Sequence, residues 1–258
     1  MGGANGGGTI FKITSSGTLT TLYRFCSQTN CTDGRDPYAG LGQAANGDLF
    51  GITIFGGANG DGTIFKITPG GTLTTLYSFC SQTNCTDGAE AGAGLVQASD
   101  GDFYGTTQYG GGANDGGTVF KITPGGTLTT LYNFCSQTNC TDGVAPEARL
   151  VQDTNGDFYG TTVYGGIGYG TVFRLSVGLR PFVKMRPPFG EVGTVVEILG
   201  TNLTGAANVS FNGTAAVFTV VSPSLITTTV PAGATSGRLQ VVTPSLTLSS
   251  IAAFRVMP

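Results

Sequence analysis

The sequence of 258 residues contains neither histidine nor tryptophan, and only 10% of its residues are charged. Without histidine the chain lacks the usual general base, the commonest zinc ligand and the side chain that titrates nearest to neutral pH. A serine nucleophile activated by histidine is therefore excluded, and no G-x-S-x-G motif is present. The absent residues count against the common hydrolytic and zinc-dependent enzymes.

Long apolar runs and an excess of basic residues are also missing. No stretch of about 18 apolar residues occurs, so we expect no membrane span. The formal net charge is −3, and nucleic acid and anionic membranes are accordingly not expected as partners. The first residues, MGGANGGGTIFKI, lack the charged and apolar regions of a secretory signal. Export then depends on residues outside this sequence, or the protein stays inside the cell.

Glycine, in contrast, is abundant, with 44 residues in the chain. Glycine is costly inside helices and useful in tight turns, so this composition predicts a turn-dense β protein. The length suffices for two ordinary domains or one large all-β domain with a real core.

One decapeptide, FCSQTNCTDG, occurs three times, at residues 25–34, 79–88 and 134–143. Its first cysteines, Cys26, Cys80 and Cys135, are 54 and 55 residues apart. The motif G-T-[IV]-F-[KR]-[IL] keeps the same spacing, beginning at Gly8, Gly62, Gly117 and Gly170. We therefore predict a repeat region over residues 1–177 and a separate domain over residues 178–258.

Each repeat contains four short segments with the composition of β-strands. In the middle copy they are GLVQA, DFYGTTQY, GTVFKIT and TLTTLYNF, and the dipeptide Asp100-Gly101 separates the first two. Asn-Gly and Asp-Gly between apolar stretches indicate hairpins, in which we expect positive φ at both central residues. Four antiparallel strands in about 50 residues predict a β-propeller-type blade, whereas a β-solenoid has shorter coils.

The ends of the repeat region are incomplete. The first copy supplies only its last two strands and the last copy stops after its third, which leaves about three units, fewer than the four to eight of closed propellers. We expect either a fragment of a longer array or a homo-oligomer in which a second copy completes the partial blades.

All six cysteines lie in the repeated decapeptides. An even number at a repeated spacing favours disulfides in an oxidising compartment, and the pairs are Cys26–Cys31, Cys80–Cys85 and Cys135–Cys140. Free thiols and a thiolate metal site are the alternatives. A structural zinc ion needs four ligands, whereas each repeat offers two sulfur atoms and no imidazole.

Repeated acidic residues are the first candidates for chemistry. We expect turn hydrogen bonds, in which aspartate bonds its own local backbone, rather than catalysis from Asp33, Asp87, Asp142, Asp48, Asp102 and Asp157. A glycosidase pair would not recur once per repeat. The glycine-rich loops at residues 56–62 and 110–117 precede strands, so they are not phosphate loops. Each supplies one carboxylate, Asp61 or Asp115, and weak calcium binding is the only cofactor interaction that we expect.

One aromatic residue stands at the same position of each repeat, at Phe55, Tyr109 and Tyr164. If exposed, these rings would stack on sugar rings and, where tyrosine, hydrogen-bond through the phenol. The alternative is packing in the core or between blades. Phe103, Phe158, Tyr104 and Tyr159 are predicted to pack, and Lys12, Lys66, Lys121 and Arg174 to face solvent. No catalytic residue is predicted.

The segments GTVFKIT, TLTTLYNF and NGDFYGTT resemble the Gloeobacter/Verrucomicrobia-type (GloVer) tandem repeats. This resemblance covers about two thirds of the chain and implies a surface or secreted bacterial protein, with no catalytic residues that can be transferred.

Residues 181–258 have a different pattern, with short strands about ten residues apart, which predicts a small Ig-like β-sandwich. The order of Pro188 and Gly190, GTVVEILGTNL, V-x-FNG, VPAGATSG and a last strand ending at Phe254 resembles an IPT/TIG domain. That resemblance implies an interaction or spacer module. Its expected core comprises Val196, Ile198, Val209, Phe211, Phe218, Leu239, Val241 and Phe254.

The sequence as a whole predicts a secreted or cell-surface, non-catalytic binding or scaffold protein. Its expected partner is an extracellular polysaccharide or another protein. The alternatives are a carbohydrate-active enzyme or its accessory module, and a subunit of an extracellular filament whose open strand edges pair between chains.

Overall fold

The computed structural model describes residues 2–3, 5–44 and 46–258, and these residues form β-strands joined by turns, without an α-helix. The all-β prediction is confirmed. The chain divides into two compact units, residues 1–151 with 159–174 and residues 152–158 with 175–258. Single turns of 3-10 helix occur at Thr29–Cys31, Thr83–Cys85 and Thr138–Cys140, once in each decapeptide.

The repeat region forms four sheets whose strands follow one another in sequence order. The first has two strands, β1 (Thr9–Ile13) and β2 (Leu19–Arg24). The second comprises β3 (Gly42–Gln43), β4 (Leu49–Thr53), β5 (Thr63–Ile67) and β6 (Leu73–Ser78). The third comprises β7 (Val96–Gln97), β8 (Phe103–Thr107), β9 (Thr118–Ile122) and β10 (Leu128–Asn133). The last comprises β11 (Val151–Gln152), β12 (Phe158–Thr161) and β13 (Val172–Leu175).

Every neighbouring pair in the two four-stranded sheets is antiparallel, which confirms the predicted four-stranded repeat. The first strand of each sheet is the shortest, with only two residues in β3 and β7. The pairing of the third and fourth strands contains a β-bulge. In the third sheet it lies between Thr130 and Tyr132, which pair with Phe120 and Val119. The incomplete first and last sheets also match the predicted strand count.

The predicted geometry of the Asn-Gly and Asp-Gly turns is wrong in one respect. Gly101 has φ of 90°, but Asp100 keeps a negative φ, and the same holds at Asn155-Gly156 in the last copy. The Ala98 N–H donates to the Asp102 carbonyl at 2.9 Å, so three residues lie in the loop rather than two. A three-residue hairpin needs only its last residue in the left-handed region, which is where glycine stands.

The core of the repeat region lies between successive sheets. Strand β9 is buried at every residue except Lys121, because both of its faces are covered. Phe79 packs edge-on against Phe120 at 5.3 Å between ring centroids. The predicted packing residues Phe103, Tyr104 and Phe158 are buried, and Tyr159 is partly buried. Lysines on these central strands are less exposed than predicted, because Lys66 and Lys121 are partly buried; Lys12 and Arg174 are exposed.

The C-terminal unit contains two further sheets. One has the strand order β14 (Lys184–Arg186), β16 (Val195–Leu199), β20 (Leu225–Thr229) and β19 (Phe218–Ser222). The other has the order β15 (Phe189–Gly190), β22 (Thr247–Val256), β21 (Gly237–Val242), β17 (Asn208–Phe211) and β18 (Thr214–Ala215). All pairs are antiparallel apart from β15 with β22.

Buried residues from both sheets form the core of this unit. Val196 and Ile198 of β16 meet Phe211 of β17 and Phe254 of β22 in one cluster. The predicted core is confirmed, with Phe218 partly rather than fully buried against the same cluster. Alternation of buried and exposed residues along β21, from Leu239 onward, is what a strand with one solvent face requires.

Candidate functional site

Each decapeptide folds into a loop closed by a disulfide. The structure pairs Cys26 with Cys31, Cys80 with Cys85, and Cys135 with Cys140, and no cysteine is free. The predicted pairing is thus present in all three copies. Both cysteines and the asparagine between them adopt positive φ in every copy, for example 56°, 57° and 48° at Cys80, Asn84 and Cys85. A bridge that spans this short loop helps to hold residues in a conformation that L-residues seldom adopt.

A buried carboxylate holds the same loop from inside. Asp87 is fully buried and accepts hydrogen bonds from the Tyr77 hydroxyl at 2.7 Å and the Ser81 hydroxyl at 2.8 Å. The backbone N–H groups of Ser81 and Gln82 donate to it at 2.9 and 3.2 Å. Asp33 and Asp142 have the same partners in their own copies. These acids are structural, but they close a loop across five or six residues instead of making the local turn that the sequence predicts.

The hydrogen bonds and burial in this loop shift the pKa values of its aspartate and tyrosine side chains. Burial by itself raises the pKa of Asp33, but the hydrogen bonds from the Ser27 backbone, the Tyr23 hydroxyl and the Ser27 hydroxyl outweigh it, so the pKa is lowered. The pKa of Asp142 is lowered against its burial by the corresponding donors. Burial raises the pKa of Tyr77, where the Ser81 hydroxyl opposes and Asp87 reinforces the shift. The carboxylates of Asp33 and Asp142 are therefore held charged and the Tyr77 phenol neutral, as a fixed structural network requires.

The acids after the hairpin glycines take part in the turns through side chains: the carboxylates of Asp48 and Asp157 accept from the amides of Asn46 and Asn155 at 2.9 and 3.0 Å. The side chain that bonds the turn backbone belongs to the residue two positions earlier. For example, Asp100 Oδ1 accepts from the Asp102 N–H at 3.2 Å. Asp102 itself forms an ion pair with Lys121, with 3.1 Å between Oδ2 and Nζ. The sequence correctly predicts a structural role for these acids and assigns the wrong partner.

The repeated aromatic position lies just beyond the second strand of each repeat. Tyr109 pairs with Ala89 through two backbone hydrogen bonds of 2.9 and 3.1 Å, and the Thr107 hydroxyl donates to its carbonyl at 2.8 Å. Tyr164 is held in the same way by Val144 and Thr162. The backbone is fixed in each case, while the side chains are 39% exposed at Tyr109 and 61% exposed at Tyr164.

Phe55 occupies the same position with different surroundings. Its ring is partly buried, and the Arg35 guanidinium carbon lies 5.3 Å from the ring centroid. The ring lines an open cavity of about 410 Å³ together with Asp36, Pro37 and Tyr38, and with Gly8, Thr9 and Ile54. Sequence reasoning missed this cavity because Pro37 and Tyr38 have no counterparts in the middle copy, which has Ala91 and Gly92 instead.

Sequence reasoning also missed a hydrogen-bonded threonine pair in each repeat. Thr107 and Thr118 are fully buried, and their hydroxyl oxygens lie 2.8 Å apart. Thr53 with Thr63 and Thr162 with Thr171 form the same bond. The signal in the sequence is a threonine that ends the second strand and another that follows the repeated glycine. The two hydroxyl groups of each pair hydrogen-bond to each other, and this bond holds the end of the hairpin that carries the aromatic position.

The glycine-rich loops bring their single acids near other groups. The Asp61 carboxylate lies within 4.8 Å of the sulfur atoms of Cys80 and Cys85, but those sulfurs are joined in a disulfide and offer no thiolate. Asp115 accepts a hydrogen bond from the Gly110 N–H at 2.6 Å. Burial raises the pKa of Glu90, and the charges of Asp61 and Asp115 raise it further. Weak calcium binding at Asp61 or Asp115 stays a prediction.

A family model described as the Gloeobacter/Verrucomicrobia repeat matches residues 1–219. The chain belongs to this repeat family. The family match extends beyond the predicted repeat region into the C-terminal unit, while the resemblance to an IPT/TIG domain stays a prediction. No curated protein matches this repeat-family chain significantly.

Among solved structures, the chain is weakly similar to a fungal alcohol oxidase of the AA5 family in complex with copper. The two share 12% identity with a TM-score of 0.40, over 96% of this chain and 59% of that one. A likeness of this size says nothing about the activity of the repeat-family chain. Among its described residues, no helix is long and apolar enough to span a membrane.

Proposed function

We propose that the chain is a non-catalytic binding and scaffold protein that holds an extracellular polysaccharide through Tyr109 and Tyr164. The observation that carries this proposal is the exposure of both rings on equivalent, hydrogen-bonded backbone positions. An aromatic face with a phenol at its edge suits the apolar face and hydroxyl rim of a sugar. Phe55 is a third predicted contact, through the cavity that it lines.

The proposed architecture is a propeller-type array followed by an Ig-like module of the IPT/TIG kind. The sequential antiparallel order of β3–β6 and β7–β10 supports the first part. The two sheets of the C-terminal unit, which share one core, support the second. Such an array presents equivalent surfaces at a fixed spacing, which suits a polymer with repeating units.

A secreted or cell-surface location is proposed for the same protein. Its support is the disulfide in each of the three decapeptides, since such bonds persist mainly in oxidising compartments. We further propose that a second copy of the chain is a partner. The three-stranded last sheet, which lies inside the chain, supports this, because it lacks the fourth strand that the complete sheets have. The same open edge favours a filament subunit as the second candidate function.

Affinity electrophoresis in gels that contain single polysaccharides tests the binding proposal. The protein is compared with the double variant Tyr109→Ala/Tyr164→Ala and with Tyr169→Ala, which removes a 91% exposed tyrosine at a non-equivalent position. We expect at least one polysaccharide to retard the wild type and Tyr169→Ala, and not the double variant. Equal retardation of all three proteins would overturn the assignment of the site.

A further inference from the structure

A polar groove of about 470 Å³ lies between the second decapeptide and strand β10, the outer strand of the next sheet. Its polar lining includes Gln82 and Thr86 of that decapeptide, Tyr132 and Asn133 of β10, and Ser136 of the third decapeptide. The volume is within the range of about 300–1,000 Å³ that is usual for small-molecule sites. None of the lining residues is acidic or basic. The groove is therefore a candidate site for an uncharged ligand, separate from the repeated aromatic position.

Hydroxyl groups in the groove give their hydrogens to the protein. Tyr132 and Ser136 each donate to the Asp142 carboxylate at 2.8 Å. The Thr86 hydroxyl donates to Gln82 Oε1 at 3.0 Å. A hydroxyl that already donates its hydrogen keeps its oxygen lone pairs as acceptors. The groove therefore offers acceptors to a ligand that carries several hydroxyl donors.

Two amide side chains also line the groove. The Gln82 side chain hydrogen-bonds the Tyr77 side chain, which leaves the second of its two N–H groups for a ligand. Asn133 Oδ1 is buried and has no hydrogen-bond partner among the described residues. In the preceding repeat Ser78 stands at this position and accepts from the Ala58 N–H at 3.2 Å. The Asn133 amide thus has hydrogen-bonding capacity that the fold does not use.

The charge beside the groove disfavours anionic ligands. The Asp142 carboxylate lies behind the hydroxyls of Tyr132 and Ser136, and the lining contains no lysine or arginine. A carboxylate or sulfate on the ligand would meet this negative charge without a compensating cation. The hydroxyls of a neutral sugar both donate and accept hydrogen bonds, so they match the hydroxyl oxygens and the amides of the groove.

We propose that the polar groove binds one uncharged sugar unit of the polysaccharide. This inference rests on the proposed function and adds a contact that the aromatic positions do not supply. The preceding repeat has the same inward hydrogen bonds, from Thr32 to Gln28 and from Tyr77 and Ser81 to its own aspartate. A second sugar subsite one repeat away is therefore part of the same proposal.

Side-chain amide signals in nuclear magnetic resonance spectra of ¹⁵N-labelled protein test the contact directly. Gln137 is the internal control for Gln82, because it accepts from Thr141 at 3.1 Å in the same way, while the last sheet has no fourth strand opposite it. The probes are cellohexaose, xylohexaose, mannohexaose and the anionic hexagalacturonate. We expect at least one neutral probe to shift the Gln82 signal saturably and to leave Gln137 unmoved, and hexagalacturonate to shift neither. No shift of Gln82 by any neutral probe, or an equal shift of Gln137, would overturn the proposal.

Variants separate this inference from the proposed function. Gln82→Ala/Asn133→Ser removes one amide and replaces the other by the serine of the preceding repeat, whereas Gln137→Ala removes the equivalent amide outside the groove. In affinity electrophoresis, we expect the dissociation constant of the retarding polysaccharide to rise about fivefold or more in the first variant and to stay unchanged in the second. Gln82→Ala and Gln137→Ala should lower the thermal midpoint equally, because both glutamines make the same loop contact.

The aromatic double variant decides which proposal fails. Unchanged affinity of Gln82→Ala/Asn133→Ser, together with lost binding in Tyr109→Ala/Tyr164→Ala, would overturn the groove and leave the proposed function standing. A wild type that no polysaccharide retards would overturn both.

Discussion

The ring of Phe50 stacks on the ring of Phe103, with centroids 4.1 Å apart and 24° between the planes. Phe50 belongs to β4 and Phe103 to β8, so the contact joins the second strands of two successive sheets. Both rings are buried in one cluster with Ile52 and Leu95. Packing between consecutive copies, rather than within one, therefore supplies the core of the repeat region.

Substitution of Gly105 by alanine should destabilise this core. The new Cβ would lie 2.6 Å from Phe120 and 3.0 Å from Leu95, inside a fully packed interface. Overpacking of this kind costs about 1–3 kcal/mol. The measurement is the thermal midpoint followed by near-ultraviolet circular dichroism. Gly92→Ala is the matched control, because its Cβ meets nothing within 4 Å and its φ suits alanine. Equal midpoints for the two variants would mean that the sheets pack differently.

Asp87→Asn should loosen the second decapeptide loop. The amide keeps one acceptor oxygen and turns a donor group toward Tyr77, Ser81 or Gln82, all of which already donate to the carboxylate. We expect a loss of about 1–3 kcal/mol in the free energy of unfolding, measured by chemical denaturation. Glu191→Gln, at an exposed acid, serves as the control and should change little. A neutral effect of Asp87→Asn would show that the carboxylate does not hold the loop.

Stability should fall in acid because of the equivalent acids. The pKa values of Asp33 and Asp142 are lowered against their burial by hydrogen bonds, so each stabilises the fold fully above the unfolded pKa of about 3.9. That contribution is lost as the pH falls through the folded pKa. Glu90 works in the opposite direction, since burial and then Asp61 and Asp115 raise its pKa, and its protonation on acidification favours the folded state. When the thermal midpoint is measured between pH 2 and 7, its fall toward low pH should be shallower in Asp33→Asn/Asp142→Asn than in the wild type. An equally steep fall in the two proteins would contradict this assignment.

The disulfides give a prediction about chemistry and one about stability. Alkylation without reductant should modify no cysteine, and alkylation after reduction should modify all six, as intact mass measures. The pair Cys80→Ser/Cys85→Ser should lose roughly 2 kcal/mol, because a short loop restricts the unfolded chain only modestly. Six alkylated thiols in the unreduced protein from an oxidising compartment would contradict the proposed location.

Much of the fold could be predicted because the sequence repeats. Four strands per copy, the cysteine pairs and the buried residues of the C-terminal unit follow from periodicity and alternation, which are local properties. The hairpin at Asp100 was predicted in place but not in geometry, because the dipeptide alone does not fix whether the loop has two or three residues.

The candidate site was less accessible to prediction. The exposure of Tyr109 and Tyr164 and the partial burial of Phe55 depend on neighbours that differ between copies, such as Arg35 and Tyr38. The role of Asp87 depends on a tyrosine ten residues away, and only the folded loop brings the two together. Contacts of this kind arise from tertiary packing, which a local sequence pattern does not predict.

The central claim is that the protein holds a polysaccharide without changing it. Co-sedimentation with insoluble polysaccharides, followed by an assay of reducing ends and of oxidised sugars in the same tubes, tests both parts of that claim. The account predicts that the wild type is depleted from the supernatant by at least one polymer, that Tyr109→Ala/Tyr164→Ala is not, and that no new products form. Release of reducing ends or oxidised sugars, or no depletion by any polymer, would contradict it.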